Sequence, residues 1–179
     1  MSWHHGDWLA FAQAVAGVLA IFGAFGVVLF QHVIHVRHAD SIARCDRLRE
    51  CYISAIYVTA LLQNAIDCAA PLLNSIDAMR KMAVENGDME FNSNRIDAAS
   101  DALSHALHNK LPVEIITGVL SAWIALQQFC HAIHRTTVVE NMKLDELHEY
   151  CQKQFSVLNY SLEVVGLSKD KWAQALGET

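Results

Sequence analysis

A stretch of 23 residues close to the N-terminus, residues 8–30, carries no charge and contains one polar side chain, Gln13. At ~1.5 Å per residue, a helix of this length extends ~34 Å and crosses a hydrocarbon core of ~30 Å. A lone segment in lipid must satisfy its backbone hydrogen bonds internally, so it has to be helical. Residues 8–30 therefore predict one transmembrane helix, with the rest of the chain held on one side of a membrane.

The rest of the chain is predicted to be all-α. Of 179 residues, 53% are hydrophobic and only 8 are Gly and 2 are Pro, so helix breakers are few. No segment alternates apolar and polar residues over a convincing length, which argues against a sheet. We expect a single N-terminal transmembrane helix continuous with a cytosolic helical bundle. The predicted parts are an external leader at 1–7, the span at 8–30, a basic juxtamembrane stalk at 31–50, and the bundle at 51–179.

Basic residues set the expected orientation of the span. The leader has no Lys or Arg, whereas the segment after the span has four arginines against Asp40 and Asp46: Arg37, Arg44, Arg47 and Arg49. Positive charge favours the cytoplasmic side, so the N-terminus is expected outside and the bundle in the cytoplasm, as a single-pass protein of a bacterial inner membrane. A cleaved signal peptide fits poorly, because the basic residues flank the wrong end of the apolar stretch.

Charge also limits the partners. From Glu50 onward there are 9 Lys and Arg against 16 Asp and Glu. A domain this acidic repels a phosphate backbone, so nucleic acid is not an expected partner. The expected partners are the lipid bilayer, further copies of the chain in a homo-oligomer, and a cytosolic protein. The 5 cysteines are odd in number and have no CxxC spacing, which is typical of reduced thiols in a core.

Small residues recur through the span at a helical spacing. They are Ala12, Ala16, Ala20 and Ala24, with Gly17 and Gly23 beside them. Small side chains at this spacing let two helices approach closely in a bilayer, so this face is the predicted oligomerisation surface. The alternative is an alanine-rich span with no such role.

Helix signals continue beyond the span. No Gly or Pro occurs in residues 31–70, so the span is expected to run on as a helix. One predicted apolar face consists of Ile34, Ile42, Cys45, Leu48, Tyr52 and Ile56. A buried central helix is expected at 52–73, a loop at 85–94, a helix from there to about His108, and a second core helix at 113–134 introduced by Pro112. A helix at 138–165 is expected to end at Gly166, followed by a short helix capped by Ser168.

Histidine is the unusual residue, with ten copies. Seven occur at HxxH spacing: His32, His35 and His38; His105 and His108; His131 and His134. Two histidines at this spacing face one side of a helix, but a zinc site needs further ligands at a fixed spacing. We predict no metal and no cofactor. In an oligomer, His32, His35 and His38 would form rings at the cytoplasmic end of the span, where they are a candidate pH-sensitive pore mouth.

Enzyme motifs are absent: the sequence has no HExxH, GxSxG, Walker A or GxGxxG pattern. Cys130 lies near His131 and His134 but within an apolar helix, so it is interpreted as a core residue rather than a nucleophile. Whether the chain is an enzyme is left open, with a non-enzymatic role favoured.

A membrane span followed by a helical domain of this size resembles the small accessory membrane proteins of RNA-targeting type VI-B CRISPR systems. The resemblance implies a divergent HEPN-like bundle and a role in antiviral defence. The HEPN ribonuclease signature is an Arg, four to six residues, and a His on one helix, and no Arg here matches it. The nearest patterns are Lys143-x4-His148 and Asn141-x6-His148. His148 is thus the candidate general base, but the missing arginine argues against ribonuclease activity.

The sequence therefore supports three functional hypotheses. The leading one is a homo-oligomeric protein that forms a pore or depolarises the inner membrane. The second is a membrane-tethered scaffold or sensor that does not conduct. The third is a membrane-bound HEPN-like ribonuclease that uses His148.

Overall fold

The computed structural model describes residues 5–81, 93–138 and 144–177, and no strand occurs within these ranges. The all-α prediction is confirmed. The described ranges contain four helices: α1 His5–Lys81, α2 Asn94–His108, α3 Val113–Val138 and α4 Leu144–Gly177. The chain divides into two compact units, Met1–Asp46 and Arg47–Thr179, and α1 contributes residues to both.

The first unit is the N-terminal part of α1 and has no core of its own. Every described side chain in 8–44 is exposed, including Leu19 at 65% and Phe22 at 70%. By length and composition the helix can cross a membrane, because its most apolar window has a mean hydropathy of 2.2 and none of it is buried. An N-terminal signal sequence meets the same criteria. Large apolar surface left in water is costly, so lipid is the environment that suits this segment.

The second unit is an up-and-down four-helix bundle. A short turn at 109–112 reverses the chain between α2 and α3, and Gln127 of α3 donates a hydrogen bond to Ser100 of α2. Gly118, near the start of α3, lies against Ser161 and Val165 in the second half of α4, so these helices are also antiparallel. The end of α1 meets the start of α4. Short connections between antiparallel neighbours are typical of such bundles.

The part of α1 that belongs to the bundle buries one side with a regular period. The buried and partly buried positions alternate in steps of 3 and 4: Leu48, Cys51, Ala55, Val58, Leu62, Ala65, Ala69, Leu72 and Ile76. A repeat of 3.5 residues keeps one seam of a helix against its neighbours along its length. The face predicted from sequence coincides with this side only in part, because Leu48 and Tyr52 pack against the core whereas Ile34, Ile42 and Ile56 are exposed.

Two other sequence signals were misread. Gly166 was expected to end a helix, but α4 continues through it to Gly177. Ser168 does not cap a new helix; its hydroxyl donates a hydrogen bond to the Val164 carbonyl oxygen. The α1 helix passes through Pro71 and ends at Lys81. Trp172 is buried as expected, within α4 rather than in a separate short helix. Packing of a long apolar face outweighs the cost of one glycine or proline in each case.

The helix α3 lies in the middle of this arrangement. Its 113–134 segment also has the length and composition of a membrane span, but 44% of its most apolar window is buried within the protein. Core helices of soluble domains meet the same criteria, and its buried residues Ile115, Val119 and Phe129 belong to the bundle core. It is therefore a core helix of the bundle.

Candidate membrane-spanning surface and polar clusters

Residues 12–24 of α1 are sorted by side-chain size around the helix. With ~100° of rotation per residue, one arc of ~140° contains only small residues and a glutamine. We call this the small face, and it consists of Ala12, Gln13, Ala16, Gly17, Ala20, Gly23 and Ala24. All six predicted oligomerisation residues lie on it. Gln13, the one polar side chain of the span, shares the face.

The opposite side of the same segment is bulky. Val15, Val18 and Phe22 lie there, and Phe11 and Phe25 extend it at both ends. The glycines of the small face have empty space around them, because a Cβ built on Gly17 or Gly23 would meet nothing within 4 Å. No residue in the described part of the chain therefore explains why these positions are small. The segment has a shallow side that allows close approach and a bulky side that offers large apolar area to lipid.

A groove of about 260 Å³ runs beside the span and is lined by Ala14, Val15, Val18 and Leu19. All four residues belong to one helix. The groove is thus a gap between neighbouring side chains that lipid chains can fill, rather than an enclosed ligand cavity. It gives no reason to expect a small-molecule site in the span.

The three histidines after the span, His32, His35 and His38, are all exposed on α1. Because residues three apart advance by ~300°, the three sweep around the helix rather than stacking in a line. His35 and His38 fall on the side of the small face, and His32 lies at its flank. If copies join through the small face, the His35 and His38 side chains of neighbouring copies therefore lie closer together than their His32 side chains do.

The remaining HxxH pairs do not assemble a metal site. His108 contacts the Ser104 carbonyl oxygen through Nδ1 at 2.8 Å, within its own helix. His131 is exposed on α3, one turn from His134. Among residues 5–81, 93–138 and 144–177, no group of three or more His, Cys, Asp or Glu side chains is placed to hold a metal ion.

A polar cluster joins the start of α2 to the end of α3. The His134 Nε2 atom lies 3.3 Å from Ser93 Oγ and 3.5 Å from Asp97 Oδ2. Ser93 is the residue at the N-terminal cap of α2, although its hydroxyl makes no capping hydrogen bond. The cluster is not a catalytic triad, because a triad uses opposite ring nitrogens for the hydroxyl and the carboxylate. It links two helices.

Cys130 lies beside this cluster and is buried. Burial raises the pKa of its thiol to about 12, and a hydrogen bond to the Asp97 carboxylate acts in the same direction. Burial also raises the pKa of Cys151 to about 12. Both thiols are protonated at neutral pH, so neither is a competent nucleophile. This agrees with Cys130 as a core residue.

His148, the candidate general base, lies in the first turns of α4. Its side chain is only 14% exposed, and its Nε2 atom is 3.8 Å from Asp77 Oδ1 at the end of α1. Lys143 and Asn141, which would complete the nearest HEPN-like patterns, lie outside the described residues. In the described part of the chain, His148 thus lies between the start of α4 and the end of α1.

One surface was missed by the sequence reasoning. The exposed side of α3 carries apolar residues at steps of 3, 4 and 4: Val113, Ile116, Leu120 and Ile124. All of 113–134 had been assigned to the core. The signal that would have revealed it is the absence of any charge in 115–134, since a helix with one buried side normally places charges on the other.

Comparison of the chain with protein-family models, with curated proteins and with solved structures finds no match. The resemblance to type VI-B accessory proteins stays a hypothesis drawn from architecture. The features of the chain that bear on its function are therefore the exposed span, the small face and the surface of the bundle.

Proposed function

We propose that the chain is a homo-oligomeric membrane protein that permeabilises or depolarises the bacterial inner membrane. The observation that carries this proposal is the segregation of small and bulky residues around residues 12–24 of an apolar helix with no partner in its own unit. A simple anchor needs only apolar side chains and has no need of such sorting. A helix that assembles with copies of itself does.

Assembly follows from the two sides of the span. Small residues allow backbones to approach, and the association of helices in lipid depends on this packing rather than on the hydrophobic effect. Gln13 lies on the contact side, where its amide can hydrogen-bond to the same residue of a neighbour in a parallel oligomer. Such interhelical polar contacts contribute ~0.6–2 kcal/mol in membranes. The bulky side remains in contact with lipid.

The route for ions must be narrow, because the span offers little polarity. Ala and Gly side chains together with Gln13 would line it, which suits a hydrophobic constriction that opens and closes by wetting and dewetting. Below it, His35 and His38 would form rings at the cytoplasmic mouth. Positive charge on one ring histidine disfavours positive charge on the next, so the conductance would depend on pH.

The orientation, with the bundle in the cytoplasm, rests on the positive-inside bias of Arg37, Arg44, Arg47 and Arg49. The bundle would then receive the activating signal. Antiviral defence as the biological setting is taken from the architectural resemblance alone.

The decisive experiment is dye release and loss of membrane potential in liposomes that contain the purified full-length chain. Release that rises with protein-to-lipid ratio supports the proposal. The matched control replaces residues 8–30 by an unrelated apolar span of equal length. The pore hypothesis fails if the chain with the foreign span keeps full activity in cells, or if the solubilised chain is a monomer. In either case the hypothesis of a membrane-tethered protein that does not conduct is retained.

The histidine mouth is tested by replacing His32, His35 and His38 together with Gln. The variant should conduct at neutral pH but lose the change in conductance that the unmodified chain shows when the pH is lowered. An unchanged pH profile would remove the histidines from the mechanism.

A non-conducting scaffold or sensor is the second candidate, favoured by the acidic surface of the bundle, which suits a basic protein partner. The ribonuclease candidate is the weakest, because His148 is mostly buried and close to Asp77. Loss of function in His148→Ala with the oligomer and the fold intact would revive it. We expect instead that this variant alters stability first.

A further inference from the structure

We propose that the pore of the assembled protein selects anions over cations. The inference rests on the proposed function, because it assigns a class of permeating ion to the same path through the membrane. It is drawn from the positions of the charged and polar side chains of α1 between residues 8 and 45, which form one unbroken stretch of helix.

Acidic side chains are nearly absent from this part of α1. Residues 8–45 contain two arginines, Arg37 and Arg44, and a single carboxylate, that of Asp40. With ~100° of rotation per residue, Asp40 lies ~150° from the middle of the small face. It is therefore almost opposite the side on which copies of the chain would enclose a path for ions. Over these residues, an ion on that path meets no carboxylate.

Polar side chains instead continue the small face beyond the span. Gln31, His35 and His38 follow one another in steps of 4 and 3 residues, are exposed, and fall within the same arc of the helix as the small face. Ser41 lies on this side too, but its hydroxyl donates a hydrogen bond to the His38 carbonyl oxygen at 2.8 Å. With Gln13 in the span, the side of the small face thus offers amides and imidazoles to a passing ion.

The charge that these groups can acquire decides which ions they favour. Neutral amides and imidazoles have both donors and acceptors, so in that state they distinguish anions from cations only weakly. The one charge available to them is the positive charge of a protonated imidazole. Rings of Asp or Glu are typical of cation-selective pores, and rings of basic residues are typical of anion-selective pores. The side of the small face can form only the second kind.

The charges around the cytoplasmic mouth act in the same direction. Residues 31–50 carry four arginines against Asp40, Asp46 and Glu50, so this segment is net positive in each copy. Asp46 has Arg44 two residues before it and Arg47 directly after it. Copies assembled in a ring add their net charges, and a positive field at a pore mouth raises the local concentration of anions. The field and the lining of the pore therefore both favour chloride and other small anions.

The test is the reversal potential of the current that the purified full-length chain carries across a planar lipid bilayer with a KCl gradient. The expected permeability to chloride is at least about fivefold higher than the permeability to potassium. A potassium permeability equal to or above that of chloride would overturn the inference and leave the proposed function in place. Absence of both current and dye release would reject the proposed function, and the selectivity with it.

Two matched substitutions test whether the side of the small face lines the path. His38→Glu places a carboxylate on that side, whereas Val36→Glu places one almost opposite, at an exposed position two residues away. His38→Glu should lower the ratio of chloride to potassium permeability at least about fivefold, and Val36→Glu should change it less than about twofold. Equal shifts for the two variants, or an unchanged ratio for His38→Glu, would overturn the inference.

A second position guards against a variant that fails to assemble. Gln31→Glu also places a carboxylate on the side of the small face, and it should lower the permeability ratio in the same direction as His38→Glu. The mass of the solubilised particle shows which variants keep the oligomer. An unchanged permeability ratio for Gln31→Glu in an intact oligomer would contradict the inference as directly as the same result for His38→Glu.

Discussion

Gly118 in the bundle and the glycines of the small face in the span have opposite surroundings. A Cβ built on Gly118 of α3 would lie 3.2 Å from Val165 Cγ2 and 3.6 Å from the Ser161 carbonyl oxygen, so a neighbouring helix of the same chain requires a small residue there. Gly17 and Gly23 in the span have nothing within 4 Å. Within the described residues, a neighbouring helix accounts for the small residue at Gly118, whereas no neighbour accounts for those at Gly17 and Gly23.

The same contrast applies to aromatic residues and gives the largest expected effect. Phe129 is fully buried in the bundle, and Phe22 is 70% exposed in the span. Phe129→Ala should lower the free energy of unfolding by about 3–5 kcal/mol, because it leaves a cavity in a packed core. Phe22→Ala should change it by less than about 0.5 kcal/mol. Urea unfolding in a fixed detergent, followed by circular dichroism, measures both. Similar losses for the two variants would break the comparison.

A pair of glycine substitutions separates folding from assembly. Gly118→Leu should destabilise the bundle by about 1–3 kcal/mol, because the larger side chain is forced against Val165. Gly17→Leu should leave bundle unfolding unchanged and reduce the mass of the solubilised particle, because it fills the small face. Light scattering measures the mass. Val18→Leu, on the bulky side, is the matched control and should retain the oligomer. An unchanged mass for Gly17→Leu would reject the small face as a contact.

Gly166 is a glycine that neither lies against a neighbouring helix nor belongs to the small face. Gly166 lies within α4, and a Cβ added there would meet nothing within 4 Å. Gly166→Ala should stabilise the bundle by about 0.5–1 kcal/mol, because alanine has the higher helix propensity and the unfolded chain becomes less flexible. Denaturant unfolding measures the gain. A loss of stability would indicate that a partner contacts this position.

The buried thiols make the free energy of unfolding depend on pH in the alkaline range and not at neutral pH. Burial raises the pKa of Cys151 from 9.0 to about 12 in the folded bundle. Between these values the unfolded chain loses the thiol proton while the folded chain keeps it, so the free energy of unfolding should fall as pH rises from about 9 to about 12. Below about pH 9 both states are protonated and the effect is absent. Cys151→Ala should weaken this alkaline loss, as measured by unfolding at several pH values. An identical alkaline slope in the variant would contradict the burial of this thiol.

Part of the fold could be read from the sequence because the relevant signals are local. The apolar run at 8–30, the scarcity of Gly and Pro, and the turn before Pro112 all act through residues close in the chain. The errors came where the outcome depends on packing. Gly166 was read as a helix end, but it lies inside a helix whose buried side continues beyond it, and the helix expected at 52–73 continues to Lys81.

The candidate sites show the same division. The small residues of the span and the three histidines after it were identified from spacing alone. Spacing gave no way to see that Asp77 lies beside His148, because these residues are far apart in sequence and meet only when α4 packs against α1. The exposed apolar residues of α3 were also missed, since an apolar helix gives no indication of which side is covered until its neighbours are placed.

The sequence by itself determined that the chain is helical, that residues 8–30 are apolar enough to cross a membrane, and that small residues repeat along that segment. These properties depend on composition and on the 3.6-residue period of a helix. Only the tertiary structure decided which side of each bundle helix is buried, which histidines approach carboxylates, and which glycines are fixed by their neighbours. The reason is physical: burial and contact are set by which helices are adjacent, and adjacency joins residues that are distant along the chain.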